Sequence, residues 1–570
     1  MYADGTEIVY SNLTPRSDRI YRQKATRYYD GKLVVIGLQG AVMEIVENWK
    51  KFFEMDKAVA LAQFKLLCDN MLGPDVVSID GLSKLHDLGY LPLEIKTLQE
   101  GRKVPMGIPV LTIRNTVAHA YWLVNFLETT ISDLTWKSMT NATIAAEYKA
   151  MLLDFAERTG SPVEGVAYQA HDFSARGMSG PEDAARSGFG HIASFLGTDT
   201  LGSVLYAMQY YMAGGFVAAS VPATEHAVTT SNILRIEREL AAGTYSFKDR
   251  GQAGIASQMH YNGEEPRLIA EVMFVYELMQ KFPKGILSNV LDSFDFFGML
   301  TRGLPYLKEV IMARESNGIT PGKFVVRPDS GNPVTVICGM KPVSGEDGKA
   351  INFESEDAAY DFFDSWGGIY HKFKDNDCIK IDGVFYEFSA SDDGCGIDLD
   401  VVYPYEVVAG AIRTLYKIFG GTITETGHKL LDSHIGLIYG DSITPQRCLE
   451  ILERLEANGF ASGNVVFGVG SYTYQCNTRD TFGFAVKATW TMVNGQPISI
   501  YKDPKTDSKK KSARGLLFVG RNSEAGYYLE DDVSPEQENY EENLLKVLFY
   551  NGKFLRRTSL TEIRERLDRY

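Results

Sequence analysis

The second half of the chain repeats one pattern, in which an apolar strand-like run is followed by an acidic or glycine-rich loop. The runs are 284–290, 324–326, 435–439 and 465–467, and the loops after them are Leu291-Asp-Ser-Phe-Asp295, Arg327-Pro-Asp329, Gly440-Asp441 and Gly468-Val-Gly-Ser471. Alternation of such strands with helices favours a parallel sheet or barrel covered by helices. Functional groups at every strand end favour a (β/α) barrel, and an open doubly wound sheet is the alternative.

One of these runs ends directly on an arginine and a carboxylate, in Phe324-Val-Val-Arg-Pro-Asp-Ser-Gly-Asn-Pro333. Pro328 biases Arg327 toward an extended conformation, and the residues after Asp329 are typical of a turn. We therefore expect Arg327 and Asp329 at the carboxyl end of a strand, where α/β folds bind their ligands. A structural Arg–Asp pair that braces the turn explains the same residues equally well.

The rest of the chain indicates at least one further domain. At 570 residues the chain exceeds the size of a single hydrophobic core. The first 130 or so residues mix strand-like stretches, a basic loop and helical spacing, which is typical of an α+β domain. Two later predictions are local: an Asp382-Gly383 hairpin turn, and a helix capped by Thr444 and stopped by Gly459. A further helix is predicted over 406–419.

Composition excludes several classes of partner. A net charge of -15 and a pI near 5.2 argue against nucleic acid or an anionic membrane as the main partner. The six cysteines are scattered, without a Cys-x-x-Cys pair or zinc spacing, which is typical of reduced thiols. No apolar run reaches the roughly 18 residues of a spanning helix, and the amino terminus lacks the features of a signal peptide. We therefore expect a cytoplasmic protein.

Three short motifs carry groups suited to binding or catalysis. Ser220-Val-Pro-Ala-Thr-Glu-His226 places a carboxylate beside a histidine, and His171-Asp-Phe-Ser-Ala-Arg176 offers an aromatic ring and a guanidinium that can sandwich a flat polar ring. The small residues of Gly468-Val-Gly-Ser471 allow a phosphate to approach backbone N–H groups, and Arg479 can supply a donor fork to the same anion. Each motif also has a structural explanation: a core histidine, a buried phenylalanine with a surface arginine, and a tight turn. The basic segment 502–514 is either a loop exposed to solvent or a gate that covers a phosphate-binding site.

The residues that carry a family resemblance are spread over nearly the whole chain. They are Tyr10-Ser-Asn-Leu-Thr-Pro-Arg16, Gly37-Leu-Gln39, Tyr168-x-x-His-Asp-Phe-x-x-Arg-Gly-x-Ser179, Gly197-Thr-Asp-Thr200, Ser220-Val-Pro-Ala-x-Glu-His226, Asp292-Ser-Phe-Asp295, Arg327-Pro-Asp-Ser-Gly-Asn-Pro333, Gly440-Asp441, Phe467-Gly468, Thr478-Arg-Asp480 and Lys502-Asp-Pro504. In this order they resemble the nicotinamide phosphoribosyltransferase family, within the nicotinate phosphoribosyltransferase superfamily. The hydrophobic-Asp-Asp loop of Rossmann-like phosphoribosyltransferases is absent, which also indicates the barrel type.

The resemblance implies an activity and an architecture. The activity is transfer of a phosphoribosyl group from phosphoribosyl pyrophosphate (PRPP) to nicotinamide, giving nicotinamide mononucleotide and pyrophosphate for NAD salvage. The architecture is α/β: a (β/α) barrel-type phosphoribosyltransferase domain over 136–482 with an insertion at about 334–404, and an additional α+β domain built from 1–135 and 483–570. A homodimer with active sites at the interface is also implied, with Mg²⁺ and with ATP as co-substrate.

The resemblance also implies roles for individual residues. The implied catalytic residues are His226, Asp295 and Asp329. His226 matches the histidine that ATP phosphorylates, Phe173 stacks on the nicotinamide ring, Asp199 accepts a hydrogen bond from its carboxamide, and Arg176 lies over or beside the ring. The implied ribose- and phosphate-binding residues are Arg16, Ser220, Ala223, Arg327, Gly440, Asp441, Gly470, Ser471, Arg479, Lys487 and Lys510. No residue is expected to bind Mg²⁺ directly, since pyrophosphate and water hold it.

Departures from the family pattern leave alternatives open. Met1-Tyr2-Ala3 corresponds to a stretch that follows an Asp-x-Tyr-Lys segment, whose tyrosine closes the ring sandwich from the neighbouring subunit. We therefore expect another tyrosine in that place, a longer chain, or weak base binding. Leu291, Ala175 and Ser471 replace a serine, a tyrosine and a glycine, and none of these changes removes a charged group. The alternative functions are a nicotinate phosphoribosyltransferase and a non-catalytic ligand-binding homologue. The first alternative is disfavoured by Asp199, because its carboxylate repels the carboxylate of nicotinate.

Overall fold

The chain forms two compact units. The computed structural model describes residues 2–345, 350–365, 377–390, 397–402, 405–440, 442–502, 513–522 and 526–569. The first unit contains Met1–Ala150, Asp172–Ala219 and Ser471–Tyr570, and the second contains Met151–His171 and Ser220–Gly470. The domain boundaries expected from the sequence, 1–135 with 483–570 and 136–482 with an insertion at about 334–404, stay a prediction.

The first unit is built on a seven-stranded antiparallel sheet. In spatial order its strands are Gln496–Ser499, Phe484–Val493, Thr6–Pro15, Leu111–Asn115, Leu93–Thr97, Lys546–Tyr550 and Lys553–Phe554. Two smaller antiparallel pairs join Lys32–Val35 to Arg102–Pro105 and Leu516–Asn522 to Gly526–Val533. Strands from the two ends of the chain therefore share one sheet, and the expected α+β domain built from both terminal segments is confirmed.

Helices accompany this sheet in the first unit. They are Arg19–Arg22, Leu38–Glu54, Lys57–Leu72, Asp80–Leu88, Tyr121–Phe126, Glu128–Thr159 as far as Ala150, Pro181–Ile192, Leu201–Tyr210, Ser471–Gln475, Pro535–Glu538 and Leu560–Leu567. The short helix Arg19–Arg22 lies within the basic segment that was expected to be a loop. None of the helices in the described part of the chain has the length and apolarity that crossing a membrane requires.

The second unit contains the parallel sheet that the repeated pattern predicts. Five strands of this six-stranded sheet are, in spatial order, Ala170–Asp172, Val465–Val469, Ile435–Tyr439, Lys323–Arg327 and Ile286–Val290. In the parallel register Val290 lies opposite Arg327 and Tyr439 lies opposite Phe467, so the carboxyl ends of neighbouring strands meet at one edge. The strand residues are almost entirely buried, as is typical of parallel strands covered on both faces. The sheet is curled into half a barrel, which confirms the α/β, barrel-type fold class.

Helices follow these strands as predicted. They are His226–Ala241, Arg250–Tyr261, Pro266–Lys281, Phe296–Gly298, Leu304–Met312, Pro333–Cys338, Glu356–Ser365, Tyr405–Ala409, Ala411–Phe419 and Pro445–Ala457. The predicted start and stop of the last helix are confirmed: the Thr444 side chain accepts a hydrogen bond from the Arg447 N–H, Pro445 is its first residue, and Gly459 follows with φ of +74°. The capping chemistry was therefore readable from the sequence.

A small sheet follows helix Pro333–Cys338 in the chain and precedes helices Tyr405–Ala409 and Ala411–Phe419. It contains Lys341–Pro342, Asn352–Phe353, Asp377–Ile381, Val384–Ala390 and Ile397–Val402. The Asp382-Gly383 hairpin is confirmed, because both residues have positive φ and Ile381 pairs with Val384. The helix expected over 406–419 is instead broken at Gly410, which has φ of +77° and has no room for a side chain: an added Cβ would lie 2.2 Å from the Gly339 nitrogen.

Candidate active site

One histidine and two carboxylates meet at the carboxyl edge of the parallel sheet in the second unit. His226 is the first residue of helix His226–Ala241. The segment before it runs along strand Ile286–Val290, where the Ser288 N–H donates to the Pro222 carbonyl over 2.9 Å. This pairing carries the imidazole to the strand ends, and His226 Nε2 lies 3.6 Å from both Asp292 Oδ1 and Asp329 Oδ2. Two carboxylates from different strand ends therefore face one ring nitrogen.

Asp292 organises the neighbouring loop. Its Oδ2 accepts hydrogen bonds from the backbone N–H groups of Asp329, over 2.7 Å, and Ser330, over 2.8 Å. Its side chain is only 6% exposed, and Oδ1 accepts no hydrogen bond from the described residues. One oxygen of Asp292 thus fixes the loop that carries Asp329, while the other faces His226.

Asp295, which the resemblance names as catalytic, has different neighbours. It is the N-cap of the short helix Phe296–Gly298 and accepts a hydrogen bond from the Gly298 N–H over 2.8 Å. Its Oδ2 lies 3.3 Å from Arg302 Nη2, and its side chain is largely exposed. The structure therefore places Asp292, rather than Asp295, beside His226. Asp292 lies two residues after strand Ile286–Val290, and this position at a strand end was the sequence signal that could have identified it.

The loop after Arg327 is tied to two neighbouring strand ends. Arg327 is the last residue of its strand, and its Nη2 donates to the Thr224 carbonyl over 2.7 Å. The hydroxyl of Tyr439, the last residue of the adjacent strand, donates to the carbonyls of Ser330 and Gly331 over 3.0 and 2.8 Å. The stretch therefore forms a braced turn, and its Asp329 carboxylate faces His226. The role of this stretch in ligand binding stays a prediction.

The remaining expected residues of the second unit surround this edge. Ser220 and Ala223 are exposed, and Ala223 forms a parallel bridge with Ser288. Gly440 follows strand Ile435–Tyr439. An added Cβ on Gly470 would meet nothing within 4 Å, so there is open space beside Gly470. Asp441 lies outside the described residues.

A buried carboxyl group, Glu271, lies near Asp292 and Asp295. It lies on helix Pro266–Lys281 and is 2% exposed, and its Oε1 has no hydrogen-bond partner among the described residues. Burial, together with the nearby Asp295 and Asp292 carboxylates, raises the pKa of Glu271 to about 8. Glu271 is therefore protonated at neutral pH in the folded protein, whereas in the unfolded chain it ionises near pH 4 to 5.

Glu271→Gln is expected to flatten the dependence of stability on pH. Because folding raises the pKa of Glu271, the folded state holds a proton that the unfolded chain releases, and stability falls by about 1.4 kcal/mol per pH unit as pH rises from roughly 5 to 8. Glutamine carries no such proton. Thermal unfolding midpoints of both proteins at pH 5.5 and 7.5 measure the effect. An equal pH-dependent drop in wild type and variant would contradict it.

The residues expected to bind the base lie together in the first unit. Buried Asp172 accepts hydrogen bonds from the Ser174 N–H over 2.9 Å and the Ser174 hydroxyl over 2.6 Å, which shapes the loop that carries Phe173 and Arg176. The Asp172 carbonyl accepts a hydrogen bond from the Asp199 N–H over 3.0 Å. The two loops therefore run side by side, with Phe173 half-buried and with Arg176 and Asp199 exposed.

The expected phosphate-binding residues that the structure describes in the first unit each have local contacts. Ser471 begins a short helix and adjoins the loop after Arg176, since an added Cβ on Gly177 would lie 2.3 Å from the Ser471 hydroxyl. The three cations have local partners: Arg16 Nε donates to the Gly483 carbonyl, Arg479 pairs with Asp480, and Lys487 pairs with Glu128. Lys510 and most of the basic segment 502–514 lie outside the described residues.

Comparisons with known proteins place the chain in a family. Residues 168–553 match the model of the nicotinate phosphoribosyltransferase (NAPRTase) family. The chain is 43% identical over 569 residues to a nicotinamide phosphoribosyltransferase of Acinetobacter baylyi, covering 99% of this chain and 94% of that protein. It is 30% identical to proteins of the same name from Xanthomonas campestris, covering 93% of this chain and 89% of that protein, and from Mycoplasma pneumoniae, covering 75% and 71%. A family match over most of the chain, with relatives at this identity, shows that the chain belongs to the nicotinate phosphoribosyltransferase family.

Proposed function

We propose that this enzyme transfers the phosphoribosyl group of PRPP to nicotinamide, forming nicotinamide mononucleotide and pyrophosphate. The observation that carries the proposal is the exposed carboxylate of Asp199, on the loop beside the one that carries Phe173 and Arg176. A carboxylate accepts a hydrogen bond from a carboxamide N–H, whereas it repels the carboxylate of nicotinate. The name shared by the three relatives supports the same base.

The residues at the strand ends suit the sugar and its leaving group. Positive charge develops on the ribose ring as pyrophosphate departs, and carboxylates held in place near the ring stabilise that charge. We assign this role to Asp329, which Asp292 holds in position. The ribose and its hydroxyls are proposed to contact Arg327, Gly440 and Asp441. The 5′-phosphate is proposed to contact Gly470, Ser471 and Arg479, and the pyrophosphate Arg16, Lys487 and Lys510.

The donor groups fit a Mg²⁺ ion that is bound through pyrophosphate and water. Mg²⁺ usually keeps several waters and binds substrate phosphates with the help of one or two carboxylates. Asp292 Oδ1 and Asp329 Oδ2 both lie at the strand ends as acceptors for such waters, and no cluster of three or more ligating side chains occurs among the described residues. When bound, the ion neutralises charge on the departing pyrophosphate.

ATP is proposed to act through His226. The imidazole side chain is 41% exposed, so a nucleotide can reach it, and phosphoryl transfer joins the γ-phosphorus to a ring nitrogen while ADP leaves. The Asp292 and Asp329 carboxylates each lie 3.6 Å from Nε2. Coupling of this step to turnover makes ADP formation depend on His226.

A cytoplasmic homodimer is also proposed. None of the five cysteines in the described part of the chain forms a disulfide, which supports a reducing compartment. Helix Leu201–Tyr210 and the residues after it expose Leu201, Leu205, Met212 and Phe216, and an exposed apolar patch of this kind is typical of an interface. Light scattering of the purified protein measures the mass, and a monomer at micromolar concentration would contradict the dimer.

One assay tests the function. Purified protein is mixed with PRPP, Mg²⁺ and either nicotinamide or nicotinate, with and without ATP, and the mononucleotides and ADP are measured. We expect nicotinamide mononucleotide, and ADP that His226→Ala no longer forms. Turnover of nicotinate alone would refute the proposed substrate. Ligand binding without any product would favour the non-catalytic homologue.

A further inference from the structure

A cavity of about 530 Å³ lies in the second unit, away from the residues assigned to the reaction. Its walls come from the end of helix Pro333–Cys338, the small sheet, and helices Ala411–Phe419 and Pro445–Ala457. The apolar, aromatic and charged side chains that line it include Met340, Lys341, Phe385, Arg413, Glu450 and Arg454. Neither His226 nor Asp292 nor Asp329 is among the described residues that line it.

The floor of the cavity is a rigid backbone contact. Gly339 and Gly410 both have positive φ, and an added Cβ on Gly339 would lie 2.2 Å from the Val408 carbonyl oxygen. The Met340 N–H donates to the same carbonyl over 3.1 Å. The two glycines let these segments touch without side chains, so the cavity is formed before any ligand arrives, as is usual for small-molecule sites.

The cations of the cavity are mostly unpaired. Lys341 and Arg413 are exposed, and neither makes a hydrogen bond or ion pair with any described residue. The third cation, Arg454, is 15% exposed, with Nη2 3.5 Å from Glu450 Oε1. Three cations around one cavity, one of them half-buried, favour an anion with several oxygens, since guanidinium and ammonium groups bind phosphate through charge-assisted hydrogen bonds.

The other lining groups narrow the class of ligand. Phe385 presents an aromatic side chain, and Met340, Pro342 and Val408 add apolar surface, which suits a flat ring. The Glu450 and Glu453 carboxylates accept hydrogen bonds from amino or hydroxyl groups. An anion, a flat ring and several donors are found together in a nucleoside phosphate, and the cavity volume matches a ligand of that size.

We propose that this cavity is a second binding site, which takes a nucleoside monophosphate with its phosphate at Lys341, Arg413 and Arg454 and its base against Phe385.

Two helices that line the cavity connect it to loops of the candidate active site, so a bound ligand can affect the reaction. Helix Pro333–Cys338 begins four residues after Asp329, and helix Pro445–Ala457 begins five residues after Gly440. The two helices contact each other, with the Cys338 thiol donating toward the Ile451 carbonyl over 3.5 Å. A ligand that bridges their ends therefore biases two loops of the candidate active site, and we expect it to alter the KM for PRPP.

Calorimetric titration with AMP tests the proposal on the full-length protein. Arg413→Glu reverses one cavity cation, and Lys417→Glu, on the exposed side of the same helix and outside the cavity, is the matched control. We expect wild type and Lys417→Glu to bind AMP equally, and Arg413→Glu to bind it at least about tenfold more weakly because a phosphate contact is lost and a repulsive charge is added. Lys341→Glu, on strand Lys341–Pro342 of the small sheet, should also weaken AMP binding.

The transfer assay at limiting PRPP separates this site from the candidate active site. AMP should change the rate in wild type and Lys417→Glu but not in Arg413→Glu, while the rates without AMP stay equal in all three. Competition by AMP for the nucleotide or PRPP site would change all three rates alike and would overturn the proposal. Failure of wild type to bind AMP, or equal affinity in Arg413→Glu, overturns it as well.

Discussion

Replacing Asp292 with alanine is expected to lower kcat for phosphoribosyl transfer by at least about 100-fold, the range seen when a group that stabilises transition-state charge is removed. Asp292 Oδ2 holds the backbone N–H groups of Asp329 and Ser330, and Oδ1 lies 3.6 Å from His226. Without the carboxylate, Asp329 loses its fixed position. The two N–H groups also lose their acceptor, which costs roughly 1–3 kcal/mol each where water does not replace it.

Asp292→Asn separates the loss of the negative charge from the loss of the hydrogen-bond acceptor. Its amide oxygen still accepts the backbone N–H groups, so the unfolding midpoint should stay close to wild type, whereas kcat should fall because the negative charge beside His226 is lost. Asp432→Asn is the control, since Asp432 accepts hydrogen bonds from His434 before strand Ile435–Tyr439, at the opposite edge of the sheet. Wild-type kcat in Asp292→Asn would show that the charge of Asp292 has no part in the reaction.

Asp199→Ala is expected to reduce kcat/KM for nicotinamide by about 10- to 100-fold, which is the loss of one charge-assisted hydrogen bond to the substrate, about 1.4–2.8 kcal/mol. The same change should leave kcat/KM for nicotinate equal or higher, because the repulsion between two carboxylates is removed. Asp199→Asn should give a smaller loss with nicotinamide, since its amide oxygen still accepts.

Comparing nicotinamide with nicotinate tests whether Asp199 selects the base. Glu182→Gln, which removes a different exposed carboxylate from the first turn of helix Pro181–Ile192, is the control and should leave both values unchanged. Steady-state kinetics with each base measures the ratio. If Asp199→Ala lowered both values equally, Asp199 would support the loop rather than select the base.

Local features were the most predictable from the sequence. Helix Pro445–Ala457 begins at Thr444 and Pro445 and stops before Gly459 as predicted, because capping and backbone conformation depend on a few adjacent residues. The Asp382-Gly383 turn formed for the same reason. Gly410 shows the limit of such patterns: the helical periodicity over 406–419 continues through it, and only the approach of Gly339 requires the break.

By itself the sequence determined the parallel sheet, the order of its strand-end loops, and the types of residue those loops carry, because apolar runs, turns and caps are local properties of the chain. Only the tertiary structure decided that Asp292 rather than Asp295 faces His226, and that Arg327 binds the Thr224 carbonyl. Which of two carboxylates three residues apart turns toward a histidine about 66 residues earlier depends on strand register and burial. Those are set by packing across the sheet, which no local pattern records.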